Sequence, residues 1–74
     1  MRMTYDQRAD AVYIYLTEKR QVGMVKKQYH VMPVQTWGMI NLDYDSSGRL
    51  IGIEVLGASK RLTQDFLNAA EIIG

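Results

Sequence analysis

The chain has 74 residues, 47% of them hydrophobic, with nine Lys and Arg, eight Asp and Glu, a formal net charge of +1 and no cysteine. That length predicts one domain over residues 1–74, burying only about 60% of its unfolded surface. Disulfides, thiolate zinc sites and thiol nucleophiles are excluded, and so is a general electrostatic attraction to nucleic acid.

A small core without staples favours association, and a homodimer is expected. Met1, Arg2, Met3, Thr4 and Tyr5 lack the apolar centre of a signal peptide. No run approaches the roughly eighteen apolar residues of a membrane span. These features predict a cytoplasmic protein.

Met1, Met3 and Tyr5 alternate with Arg2 and Thr4, the pattern of a short first strand. Residues 6–10 form a polar connection, with Asp suited to begin a turn. Residues 11–16 are β-branched and aromatic and predict a second strand. Its Val12, Ile14 and Leu16 share one face and its Tyr13 and Tyr15 the other, so the strand should be central, with the tyrosine face covered by a helix or a partner. Residues 17–21 are a charged turn. Residues 22–35 predict a long, irregular edge strand: Pro33 cannot donate to a ladder, and Lys26 and Lys27 discourage edge-to-edge pairing. Thr36, Trp37 and Gly38 turn the chain into the next element.

Residues 40–56 carry the cleanest periodicity. Ile40, Leu42 and Tyr44 alternate with polar residues, as do Ile51, Ile53 and Val55, around the turn formers Asp45, Ser46, Ser47 and Gly48. Matching apolar to apolar sets Tyr44 opposite Ile51, Leu42 opposite Ile53 and Ile40 opposite Val55, with residues 46–49 as the loop. The same stretch fits a calcium loop, with Asp43, Asp45, Ser47, Gly48, Leu50 and Glu54 in the required positions. Such a loop needs a helix on each side, whereas the preceding residues contain Pro33 and Gly38 and alternate as a strand does. The hairpin is therefore the expected structure, and no metal or cofactor is expected.

Thr63 is a candidate N-cap, with Asp65 in the first turn and Leu62 and Leu67 spaced as a hydrophobic staple. Leu62, Phe66, Ala69 and Ile73 predict a helical stripe lying on the sheet. Strands first and helix last indicate an α+β fold, with a small, hairpin-rich antiparallel sheet of about four to five strands and one C-terminal helix packed on it.

Two segments carry a family resemblance: Tyr5 and Asp6 with residues 9–16, then residues 42–45 with residues 48–56, Ala58 and Ser59. In this order and spacing the chain resembles the small prokaryotic proteins grouped as domain of unknown function 2283. The resemblance implies a small β-rich fold and assigns no active site.

Side chains with chemical capacity each have a commoner structural role. His30, the single histidine, is more readily a hydrogen-bonded surface residue than a general base or a ligand. Asp6 and Asp10, with Arg8, more often cap backbone amides than form a carboxylate pair. Ser59, Lys60 and Arg61 precede a helix without the glycine cradle of a phosphate site, and Ser46 and Ser47 sit in a turn without a base. Trp37, near Met32 and Met39, is a core residue or an interface anchor.

No catalytic constellation is visible, so the first expectation is a non-enzymatic, self-associating interaction module using Tyr13, Tyr15 and Trp37, with a second protein as a further partner. The alternative is a nucleic-acid-binding or toxin–antitoxin-like regulatory protein, with a basic patch built from Lys26, Lys27, Lys60 and Arg61, and Lys19 and Arg20 beside it.

Overall fold

The computed structural model describes residues 1–18, 23–31 and 39–74. Among these residues six strands form a single sheet: β1 (Arg2–Asp6), β2 (Ala11–Tyr15), β3 (Lys27–Val31), β4 (Ile40–Tyr44), β5 (Leu50–Leu56) and β6 (Glu71–Ile72). Their spatial order is β3-β4-β5-β2-β1-β6. All neighbours are antiparallel except β1 and β6, which run parallel. Two short helices, α1 (Ala58–Arg61) and α2 (Gln64–Ala69), separate β5 from β6. The fold is α+β, as the order of elements in the sequence predicts.

Residues paired across antiparallel strands share a face, so the register divides the sheet cleanly. One face carries Tyr5, Val12, Val55, Ile40 and Val31 in one row, and Met3, Ile14, Ile53, Leu42 and Tyr29 in the next. Both helices lie on this face. Val12, Val55, Ala58 and Leu67 form its buried centre, with Tyr5, Ile14, Ile40, Ile53, Leu62 and Phe66 packed around them. Burying such side chains contributes roughly 1.5–3 kcal/mol each.

The C-terminal region departs from the single helix expected. Thr63 does cap α2, its hydroxyl accepting from the Phe66 amide, but the helix ends after Ala69, where Ala70 turns extended. The apolar stripe is therefore Leu62, Phe66, Leu67 and Ala70, while Ala69 is exposed. Ile73 is also exposed, and its amide donates to the Tyr5 carbonyl beside β6. Six residues, or less than two turns, cannot sustain a stripe reaching Ile73.

The central hairpin forms with one correction. Ile40 pairs with Val55 and Leu42 with Ile53 as expected, but Tyr44 pairs with Leu50, and the ladder shifts between Asp43 and Tyr44. The turn is the cause. Asp45 exchanges backbone hydrogen bonds with Arg49 and Gly48, and Gly48 takes a φ of 80°, so the loop is residues 46–48 and a bulge follows. The Asp45 carboxylate fixes this turn by accepting from the Ser47 and Arg49 amides and from Arg49 Nε. The Arg49 amide contributes most, burial opposes it, and the net result holds the Asp45 carboxyl below the usual aspartate range.

At the ends of the predicted strands, Leu16 and Met1 are exposed and lie outside the core. Among the described residues the edge strand covers Lys27–Val31, and residues 23–26, expected to belong to it, precede it. Met32, Pro33, Thr36, Trp37 and Gly38 lie outside the described residues, as do Lys19 and Arg20.

Candidate functional site: the polar face and open edge of the sheet

The second face of the sheet is polar. One row across it is Arg2, Tyr15, Gly52, Asp43 and Gln28; the next is Thr4, Tyr13, Glu54, Asn41 and His30. Both helices lie on the opposite face, and yet Thr4, Asn41 and Asp43 are buried. Buried polar groups require partners, and for Asn41 and Asp43 two hydrogen-bonded arrays supply them.

In the first array, the Tyr13 hydroxyl donates to Asp43 Oδ2 at 2.7 Å and Gln28 Nε2 donates to Asp43 Oδ1 at 2.8 Å. Tyr13 belongs to β2 and Asp43 to β4, so the phenol must cross β5. It does so over Gly52: a Cβ there would lie 1.9 Å from the Tyr13 oxygen. Glycine is required at this position for space, to let the Tyr13 ring pass close over the backbone.

In the second array, Asn41 Nδ2 donates to Glu54 Oε1 at 2.8 Å, and Asn41 Oδ1 receives the hydrogen bond of His30 Nδ1. An amide oxygen only accepts, so Nδ1 is the donating nitrogen of the His30 ring. Beside these arrays, Tyr15 packs edge-on against Tyr13 at 4.7 Å. The Arg2 guanidinium sits 4.8 Å above the Tyr15 ring and reaches Glu71 at 3.4 Å.

The face ends at β3. Every residue of this strand is exposed, and among the described residues nothing pairs with its outer edge. Tyr29, 62% exposed, and Val31 stand on the apolar side of that edge. Gln28 and His30 stand on the polar side.

Sequence reasoning singled out Tyr13 and Tyr15, and the structure brings them together on the polar face; Trp37 lies outside the described residues. It does not bring together the four cations. Lys27 pairs with Tyr44, which pairs with Leu50 at the start of β5, whereas Lys60 and Arg61 follow the end of β5. The two pairs are thus separated by roughly 20 Å of strand.

Asp10 and Ser59 have a structural duty. Asp10 sits at φ 51° in the β1–β2 connection. Its Oδ1 accepts from the Ser59 amide and the Tyr5 hydroxyl, both at 2.9 Å, and its Oδ2 from the Ser59 hydroxyl at 2.7 Å. Its carbonyl accepts from the Ala58 amide. Gly57 at the helix start has no side chain to cap α1, and Asp10 takes that role from another part of the chain. Burial pushes the Asp10 carboxyl up, but the bonds from Ser59 and Tyr5 and the charge of Lys60 outweigh it, and the pKa falls below its ordinary value. The hydrogen bond to Asp10, then burial and the carboxylate charge, raise the Tyr5 phenol. A carboxylate already occupies the position at which Ser59 would meet a phosphate. Asp6 accepts from the Arg8 and Ala9 amides, the turn role expected of it.

Asp43, Asp45 and Glu54, which fit the calcium pattern, are held by different partners on two strands and a turn. Among the described residues, no group of three or more His, Asp or Glu could hold a metal ion.

The pattern of the family described as "protein of unknown function (DUF2283)" matches residues 2–59, from the first residue of β1 to the Ser59 that Asp10 holds. The chain belongs to the DUF2283 family. No curated protein and no solved structure matches it. The two segments that suggested DUF2283 meet in space: Tyr5 and Asp10 from the first close on Ser59 from the second. The residues by which this DUF2283 chain is recognised thus include the tie that starts its first helix.

The arrays themselves were not legible as a site. Asn41, Asp43 and Glu54 read as the solvent side of a hairpin. The signal that could have found them is Gly52, a glycine in a strand otherwise rich in β-branched residues, which marks a close approach.

Proposed function

We propose that this protein is a non-enzymatic, self-associating interaction module that binds through the β3 edge of its sheet. The observation that carries this reading is an edge with which nothing pairs among the described residues, a strand with all five residues exposed and an aromatic side chain projecting from it. An unpaired strand presents alternate N–H and C=O groups to a second chain, and adding a strand satisfies them. The lysines that discourage such pairing stand before the strand and at its first position, leaving Gln28, Tyr29, His30 and Val31 uncharged when the histidine is neutral.

The nucleic-acid reading draws less support. The face bearing Tyr13 and Tyr15 also bears Asp43, Glu54 and Glu71, a sign of charge that repels phosphates. Sedimentation equilibrium over a wide concentration range tests the proposal. A concentration-dependent dimer is expected, weakened about tenfold or more when Tyr29 and Val31 are both replaced by Lys, with unchanged circular dichroism. A monomer at every concentration would remove the proposal.

A further inference from the structure

We infer that β3 pairs with the same strand of a second copy, antiparallel and centred on Tyr29; this rests on the reading of β3 as the binding edge and specifies its geometry. A twofold axis that makes two edge strands neighbours in one sheet stands perpendicular to that sheet and preserves its faces. Each residue must then oppose one of its own face, so the axis passes through a residue pair, and only a few registers remain.

Centring on Tyr29 uses the whole of β3. Tyr29 opposes the partner's Tyr29 on the apolar face, and Lys27 opposes the partner's Val31. On the polar face Gln28 opposes the partner's His30. This register keeps Lys27 and the partner's Lys27 at opposite ends of the shared ladder, roughly 13 Å apart along the strand. Centring on Gln28 instead puts each Lys27 one position from the axis, only two positions from its counterpart, and sets Lys26 against the partner's His30. The lysines at the start of β3 thereby select the register while permitting the pairing.

Two further features fit. A shallow concavity lies beside the start of β3, with Tyr29 and Tyr44 as its aromatic lining among Lys26, Lys27, Asp45 and Ser46, and the partner's Val31 would add its methyl groups against the two rings. On the polar face, Gln28 is the outer end of the array through Asp43 to Tyr13, and His30 is the outer end of the array through Asn41 to Glu54. Placing Gln28 opposite the partner's His30 joins the two arrays end to end across the axis, twice. The polar faces of the two copies become one surface, with the ring nitrogen Nε2 of each His30 beside a side-chain amide.

The absence of cysteine makes the test direct, because single cysteines can be placed without background. With a short bifunctional thiol reagent, Tyr29→Cys should give a covalent dimer by itself. Lys27→Cys and Val31→Cys should each cross-link poorly alone and efficiently when the two variants are mixed, a readout that leaves Tyr29 in place. Self-linking of Gln28→Cys, with Lys27→Cys joining Tyr29→Cys, would overturn the register while leaving association through β3 intact. A dimer by sedimentation in which no β3 cysteines cross-link would overturn both the register and the edge. A monomer by sedimentation would overturn the self-association itself.

Discussion

Asp10 and Ser59 stand 49 positions apart in the chain and share two hydrogen bonds, one to the Ser59 amide and one to its hydroxyl. The pair welds the β1–β2 connection to the start of α1. The left-handed backbone of Asp10 aims the carboxylate at the helix, and aspartate is one of the few residues that visits that region readily.

Two substitutions separate the backbone from the carboxylate. Asp10→Gly keeps the conformation and removes the cap, and should cost about 1 kcal/mol. Asp10→Ala adds the strain of a positive φ, for a further loss of about 1 kcal/mol. Thermal melting measures both, and the total corresponds to a fall of roughly 8–16 °C for a domain of this size. Equal melting of Asp10→Gly and the wild type would show that the tie adds no stability.

Acid should act through the same carboxylates. Asp10 and Asp45 both have pKa values lowered in the folded protein. A lowered carboxylate stabilises the fold above its unfolded pKa of about 3.9 and loses that contribution as pH falls through the folded value. The melting difference between wild type and the Asp10→Asn, Asp45→Asn double variant should therefore be full at pH 7 and shrink below about pH 4. A difference unchanged from pH 7 to pH 2 would assign the effect to packing.

Gly52→Ala should destabilise by roughly 1–3 kcal/mol, because the added carbon meets the Tyr13 ring and drives its hydroxyl away from Asp43. The cause is specific and can be isolated. In a Tyr13→Ala background the same glycine change should cost much less, and the double-mutant cycle should show strong non-additivity. Additive losses would place the strain elsewhere.

Leu67 is the one buried side chain of α2 and packs with Val12 and Val55. Leu67→Ala should cost roughly 2–4 kcal/mol in urea unfolding, with an unchanged slope. A much smaller loss would mean that α2 contributes little to the core.

Much of this architecture is written in local pattern. The alternation of Ile40, Leu42, Ile53 and Val55 set both the hairpin and most of its register, and Thr63 marked the start of α2. The bulge escaped because it depends on the Asp45 carboxylate gathering the Ser47 and Arg49 amides, a choice of turn that apolar matching does not encode. The stripe through Ile73 failed because helical spacing says nothing of where a helix stops. The polar arrays were hidden for a different reason. Tyr13, Gln28, Asp43 and Gly52 come from four strands, and only the sheet order makes them neighbours.

That order also bears on how the chain reaches its native state. β1 with β2, and β4 with β5, are hairpins of adjacent segments that can close in microseconds. The seam between β2 and β5 joins residues 11–15 to residues 52–56, and its closure must wait for a long loop to find its ends. The seam also carries Val12 and Val55, the centre of the core, so the slow step and the stabilising contact coincide. A Val55→Ala change should then slow refolding in stopped-flow chevrons, while Asp10→Gly, acting on a helix that docks afterwards, should mainly speed unfolding. The opposite pattern would place the helix tie early. The seam between β2 and β5 would then be the point at which the core of this small sheet commits to its fold.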